Sequence, residues 1–486
     1  MQRKFLINLA ILLSLNLLVK PFYIFFIDMK VQNIVGAEEF GFYFSLFNFS
    51  MLFNIFLDMG ITNYNNRNIS RHRHLLNKYF SGIVGLRFVL AVVYAGVLFL
   101  VAIIAGYNER QLYFLIFLSF NQFLIWFIFY LRSNIAGLHL FKTDSIISVL
   151  DRLVMILICG YLILSYASSG MFRIEWFVYC QTASYFLTAI VALLIVIRKS
   201  AFRRLNWDIK FFRVVLRQSF PFALLTLLMV LYNRIDSVLL ERLLPGSLGA
   251  TQAGIYAAAF RILDAVVMVS YLFSVLLLPI FSRMIKLKEK IDTLVRLAFS
   301  LLLIIAGSTA LISLLYNNEI MSALYNQFAA DSAHVFPVIM LCFIPISITY
   351  IFGTLLTANG NMRLLNITAL AGVIVNVILN LILIPVFFAY GSGIASLISQ
   401  SLAAIIQMLI AFKIFKLHFG WRYFLRLLMF FISITITGIG LRYYCENWLV
   451  GIMLTFIMVV VLAFLFRLIR FKSLWLFLHK QSDETS

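Results

Sequence analysis

Fourteen windows of about twenty mainly apolar residues succeed one another along the chain, each long enough to cross a bilayer as a helix. They start near Phe5, Phe40, Phe80, Leu112, Ser145, Glu175, Phe220, Gly254, Leu294, Val335, Leu365, Gly391, Leu425 and Trp448. Inside lipid a backbone must satisfy its own hydrogen bonds, which leaves helices or a closed barrel. Windows this long predict helices, so the chain reads as an all-α polytopic membrane protein. With 63% hydrophobic and 12% charged residues among 486, soluble enzymes, disordered chains and disulfide-rich secreted modules are excluded.

The formal net charge is +20, which in a soluble protein points to nucleic acid. Its distribution points elsewhere. With the N-terminus inside, the inner segments hold 29 Lys and Arg, densest over 67–78, 198–217 and 283–296. The outer segments hold only Lys30, Arg110, Arg173, Arg242 and Arg442. That asymmetry is the positive-inside pattern. It predicts cytoplasmic termini, an even number of spans and no nucleic-acid partner.

Lys20-Pro21 interrupts the first window and no small-x-small site follows it, unlike a cleaved signal peptide. The longest connection, about Arg198 to Ser219, is too short for a further domain. No GxxxxGK(S/T) loop is present, so the chain carries no ATP motor of its own. Nor is there an HExxH, a His/Cys cluster or a DxD. His72 and His74 sit among Arg67, Arg71 and Arg73 as a solvated loop, and Cys159, Cys180, Cys342 and Cys445 form no CxxC pair. No catalytic residue, metal site or resident cofactor is expected. Transport is favoured over chemistry.

Gly36-Ala37-Glu38-Glu39-Phe40-Gly41-Phe42-Tyr43 precedes the second span, and Gly249-Ala250-Thr251-Gln252-Ala253-Gly254-Ile255-Tyr256 precedes the eighth. Both read GAxxxGxY, at an offset of 213 residues. Such glycines suit a tight turn into a helix, through positive φ or close packing. Six spans separate the copies, so the two six-helix lobes form a parallel repeat about an axis along the membrane normal. The lobes are expected at 1–197 and 219–413, joined by a cytoplasmic amphipathic linker at 198–218 in which Lys210, Arg213 and Arg217 recur at helical spacing. Residues 414–486 supply two further helices and a cytoplasmic tail, where Arg467 to Arg470 with Trp475 reads as a second interfacial segment.

An ionised side chain at the bilayer centre costs about 2.5–3.5 kcal/mol on insertion scales. The cations within the windows, Lys20, Arg87, Arg152, Arg234 and Arg261, therefore need a compensating role. Arg87 and Arg152 fall in the first third of their windows, where a long side chain reaches the interface; the other three fall deeper. Arg261 and Asp264, three apart, share a helix face and can neutralise each other. Arg234 and Asp236, like the adjacent Asp151 and Arg152, diverge and must find partners on other helices or in water. Pro21 frees a helical carbonyl directly after Lys20, giving either a moving cavity wall or a plain kink. These cations read as the lining for an anionic group, with Asp151, Asp236 and Asp264 as coupling or ion-pair residues. Asn48, Asn376, Asn380 and Gln400, with Asn54, Asn121 and Gln122, are either sugar contacts or interhelical hydrogen bonds.

Tyr232-Asn233-Arg234-Ile235-Asp236, Ala253-Gly254-Ile255-Tyr256-Ala257-Ala258-Ala259-Phe260-Arg261-Ile262, and Leu278-Pro279-Ile280-Phe281-Ser282-Arg283 carry a resemblance. So does the stretch Gly36 to Tyr43 followed by Leu57-Asp58-Met59-Gly60-Ile61. The chain resembles the polysaccharide-transporter branch of the multidrug/oligosaccharidyl-lipid/polysaccharide flippase superfamily over nearly its whole length. The resemblance implies a flippase of a bacterial inner membrane for an undecaprenyl-pyrophosphate-linked oligosaccharide, such as an O-antigen or capsule repeat unit. It also implies membrane lipids and glycan polymerase or ligase proteins as partners, and H+ or Na+ as a coupling ion. In the related peptidoglycan-precursor branch, cations on spans one, two and eight line the cavity. Lys20 and Arg261 stand as counterparts, while Asn48 falls where the second-span cation would be. The alternatives are a cation-coupled multidrug exporter, whose site should be dominated by acids, and a membrane-embedded glycan ligase or polymerase.

Overall fold

Pro21 has no N–H to offer the carbonyl one turn back, and the first helix widens just after it. The computed structural model describes residues 14–62, 65, 69, 75–138, 140–167, 170–200 and 207–468. The start of the first window, His72 and His74, Arg203 and Arg204 of the linker, and the tail segment with Arg470 and Trp475 lie outside these residues. Helix α1 is regular over 14–23, opens into a π turn at Ile24–Asp28, where Met29 N–H donates to the Ile24 carbonyl, and closes as an α-helix over Met29–Val35. Proline and π turns are the usual sources of such irregularity. Gly36, at φ 89° and ψ 165°, turns the chain into α2, Ala37–Leu52. A side chain would be strained in that turn. The short α3, Ile55–Asp58, ends at a left-handed Met59.

The chain divides into two compact units, Met1–Gly254 and Ile255–Ser486. In the first, α4 (Leu75–Ile104), α5 (Glu109–Gly137), α6 (Phe141–Tyr166) and α7 (Ile174–Ile197) follow α3. Helix α5 packs on α7 and α2, and α6 packs on α7 and on the π turn of α1. A reciprocal capping box of Asn108 and Gln111 starts α5, satisfying two backbone donors that a helix end leaves open. Asp208 caps α8, which runs from Ile209 to Leu243 and lies along α2. The amphipathic end of the linker is thus the opening of the seventh span itself.

The second unit takes up α9 (Ser247–Lys286) after its first turns and contains α10 (Asp292–Leu315), α11 (Asn317–Leu324), α12 (Ala329–Leu341) and α13 (Phe343–Ala358). It ends with α14 (Met362–Phe415), α15 (Trp421–Tyr444) and α16 (Trp448–Leu465). The 54 residues of α14 would reach about 81 Å if straight, at 1.5 Å per residue, far beyond a bilayer. They fold back instead. Phe388 breaks the helix at φ 51° and ψ −133°, and Asn376 Nδ2 reaches Ser399 Oγ at 3.4 Å across the hairpin. Gly391 sits against the Leu383 carbonyl, where no Cβ fits.

Ten helices among the described residues are long and apolar enough to cross a membrane. Counting α14 as two and adding α1, α2 and α8 agrees with the expected number of about fourteen. The described residues contain no strand. The chain is an all-α, multi-pass membrane protein.

Candidate functional site

Helices α1 and α6 run side by side, joined where Asn16 Nδ2 donates to Ser148 Oγ at 2.9 Å. One turn further along each helix stand Lys20 and Arg152. Lys20 interacts electrostatically with Arg152, Asp151 and Arg132. The Arg152 guanidinium lies over the Tyr23 ring at 4.6 Å and 5.7 Å from the Tyr185 ring, and interacts further with Asp151 and Asp28. Cation–π contacts of this kind hold a guanidinium in place, and Tyr185 also accepts a side-chain hydrogen bond from Arg152.

The sequence set Arg152 near the inner interface because its window began at Ser145. Helix α6 starts at Phe141 instead, which puts Arg152 mid-helix and level with Lys20. Asp151 and Arg152 do not diverge fully: Arg152 Nε lies 3.6 Å from Asp151 Oδ2, with the side chains 26% and 21% exposed. Both keep open surface within their unit.

Arg87 is the contrasting case. Expected as a cavity cation, its side chain is only 2% exposed. Its Nη2 meets Asp58 Oδ1 at 2.5 Å and Thr62 Oγ1 at 2.8 Å, its Nη1 donates to the Leu57 carbonyl at 2.6 Å, and Tyr130 stacks on it at 5.3 Å. Thr62 closes the cluster with a short hydroxyl bond to Asp58. Arg87 fastens α4 to the end of α3 and has no surface left for a ligand.

The other predicted residues are dispersed. Arg234 is half-buried and Asp236 buried on α8. Arg261 and Asp264 approach to 3.9 Å on α9, in the second unit. Asn48 is buried and donates to Ser237 Oγ at 2.7 Å, binding α2 to α8. Asn54 donates to Gln122 at 3.2 Å, and Gln122 to Ser50 at 3.3 Å. Asn380 turns back to Asn376, 2.9 Å from its carbonyl, and Gln400 is buried on the second arm of α14. Most of these amides hold helices together. Asn121 is fully buried on α5 and, among the described residues, neither amide atom has a hydrogen-bond partner.

Sequence reasoning missed the aromatic clamp of Tyr23 and Tyr185, and also Asp28. Asp28 is 1% exposed within the same electrostatic network. Its place seven residues past the Lys20-Pro21 pair, near the end of the first window, was the signal available in the sequence.

One end of the first unit is tied by paired charges. Arg110 bridges Glu39 at 2.6 Å and Glu175 at 3.3 Å. Gln111 donates to Glu241 at 2.7 Å, and Arg242 pairs with Glu241 at 2.7 Å while lying 3.6 Å over the Tyr107 ring. Burial, with Glu241 nearby, holds the Tyr107 phenol above its ordinary pKa, so it stays neutral at physiological pH. In the second unit Arg442 meets Glu319 at 3.5 Å. Arg110, Arg242 and Arg442 are thus each matched by an acid.

No curated protein matches the sequence significantly. Residues 5–285 match the family described as "Polysaccharide biosynthesis protein". Among solved structures, the chain is similar to "Lipid II flippase MurJ, inward closed conformation", with a TM-score of 0.69 and 14% identity over 95% of this chain and 99% of that one. An inward-facing multidrug resistance MATE family transporter of the MOP superfamily gives a TM-score of 0.59 at 13% identity, over 85% and 98% of the two chains. A MOP superfamily transporter from Pyrococcus furiosus, titled for the reverse polarity of its binding pocket, gives 0.58 at 14% identity, over 85% and 96%. At such identities the likeness is one of fold, and the fold is that of the MOP superfamily flippases and transporters.

Proposed function

This chain belongs to the polysaccharide biosynthesis protein family, and from that premise we propose that it flips an undecaprenyl-pyrophosphate-linked oligosaccharide by alternating access. The cargo is an O-antigen, capsule or exopolysaccharide repeat unit, moved from the cytoplasmic to the outer leaflet of a bacterial inner membrane, with both termini cytoplasmic. The observation that carries this reading is Lys20 beside Arg152, two cations at one level of adjoining helices, the arginine flanked by two tyrosines. A diphosphate cannot enter hydrocarbon unpaired. Ammonium and guanidinium donors offer it charge-assisted hydrogen bonds, while the polyprenyl tail stays in lipid and the sugars stay in water.

Lys20 and Arg152 repel each other, and Asp151 and Asp28 relieve that repulsion in part; a diphosphate competes with these carboxylates for the two cations. Coupling to H+ or Na+ runs through Asp151, Asp236 or Asp264, and glycan polymerase or ligase proteins take the product in the outer leaflet. The chain performs no covalent step of its own.

The test is surface glycan in cells that depend on this protein, at matched expression. A hydrogen bond to a charged group is worth about 1.5–3 kcal/mol, so Lys20→Ala or Arg152→Ala should lower glycan export by about tenfold or more, with Lys20→Arg retaining most of it. Undiminished glycan in both alanine variants would remove the proposal. Sensitivity to cationic dyes on deletion, with glycan intact, would favour a multidrug exporter instead.

A further inference from the structure

The segment 198–217 carries seven basic residues and a single acid, Asp208. That acid is already engaged: its carboxylate caps α8, accepting from Lys210 N at 2.8 Å and Phe211 N at 3.3 Å. The first turns of α8 then divide by chemistry. Phe211 packs against Tyr79 at 5.4 Å and over Gly82, while Phe212 and Val215 are buried in the core of the first unit. Arg213 and Arg217, four apart on one face, are exposed, and among the described residues neither has an ion pair or an aromatic partner.

Beside that face opens a cavity of about 530 Å³, lined by Met59, Ile209, Phe212, Leu216, Arg213 and Arg217. Four walls are apolar and two guanidiniums stand with them. Water finds few partners along such walls. A bare anion would leave the walls unused, and a neutral apolar molecule would leave the guanidiniums unused. An amphipathic anion satisfies both.

We propose that this cavity holds an anionic membrane phospholipid, with its phosphate on Arg213 and Arg217 and an acyl chain along Phe212, Leu216, Ile209 and Met59. Arginine binds phosphate oxygens through paired N–H donors, and basic pockets at the membrane end of helices suit such headgroups. The lipid pins the start of α8, the helix that carries Asp236 and meets Asn48 through Ser237. This site stands apart from Lys20 and Arg152 and does not depend on what the protein transports.

Native mass spectrometry of the full chain, extracted from vesicles of equal phosphatidylglycerol and phosphatidylcholine, tests it. The wild type should retain one phosphatidylglycerol in about tenfold preference over phosphatidylcholine. Arg213→Gln/Arg217→Gln should abolish the preference, and Leu216→Gln should weaken retention. Arg422→Gln/Arg426→Gln, which removes an equally spaced pair on α15, should change neither, and unaltered elution and thermal unfolding check that each variant is folded. Four results would overturn the proposal: no lipid retained by the wild type, equal retention of both lipids, the same loss in the α15 variant, or displacement of the lipid by millimolar inorganic phosphate.

Discussion

Gly41 and Gly254 stand against each other. A Cβ on Gly41 would lie 2.9 Å from the Gly254 Cα and fall on the Ala250 carbonyl; one on Gly254 would lie 3.1 Å from the Ala37 Cα and fall on the Ala37 carbonyl. These are equivalent positions in the two copies of GAxxxGxY, so the repeated motif packs upon itself. Carbonyl oxygens of a helix cannot step aside as a flexible side chain does. Gln32 Nε2 adds a bond to the Gly254 carbonyl at 2.9 Å.

Gly41→Ala and Gly254→Ala should therefore each force α2 and the start of α9 apart. Overpacking typically costs about 1–3 kcal/mol, and the variants should unfold at lower temperature and export less glycan. Gly96→Ala and Gly440→Ala, whose added Cβ meets nothing within 4 Å, are the controls and should be neutral or slightly stabilising. Thermal unfolding of all four purified variants decides the matter; equal behaviour would refute the close crossing.

Removing one partner of a buried ion pair costs about 3–5 kcal/mol, whereas replacing both with apolar residues is often neutral. Arg87→Met alone should be severely destabilising, since it strands Asp58. Arg87→Met/Asp58→Leu should recover most of the loss and still export glycan. A double-mutant cycle on stability, with glycan read alongside, checks this. A folded double variant that transports nothing would restore Arg87 to the substrate path.

Tyr23 tests the clamp on Arg152. Tyr23→Phe keeps the ring and should leave transport within about twofold, because cation–π attraction belongs to the aromatic face. Tyr23→Leu removes about 0.5–2 kcal/mol of attraction and should weaken binding of a polyprenyl diphosphate to the purified protein several-fold. Equal loss in both variants would mean that the hydroxyl, not the ring, matters.

Arg110 is a pair of another kind. Its side chain is 47% exposed, and exposed ion pairs contribute about 0–1 kcal/mol. Arg110→Gln should shift thermal stability little, and any shift should shrink as salt rises. A loss above about 2 kcal/mol at high salt would contradict that screening argument.

How much of this was legible in the chain follows from the range of each signal. Span lengths and the GAxxxGxY copies are local patterns, and hydrophobic length and residue spacing report them directly. Pro21 flagged α1 for the same reason. Partners across the fold were invisible: Asp58 lies 29 residues from Arg87, and Tyr185 lies far from Tyr23, so only packing brings them together. Adjacency misled for Asp151 and Arg152, because side chains that leave a helix 100° apart can still bend toward one another. Window edges misled for depth, since Lys142, Thr143 and Asp144 in the first turn of α6 lower its hydropathy there.

The π turn at Ile24–Asp28 makes α1 a torsional element. One extra residue wound into a turn offsets all that follows by about 100° from an uninterrupted helix. The stretch beyond is anchored through Gln32, while the stretch before it carries Lys20. Tightening that single turn would swivel the ammonium about the helix axis with the far end held fast, a screw motion that needs no tilting of the helix as a whole.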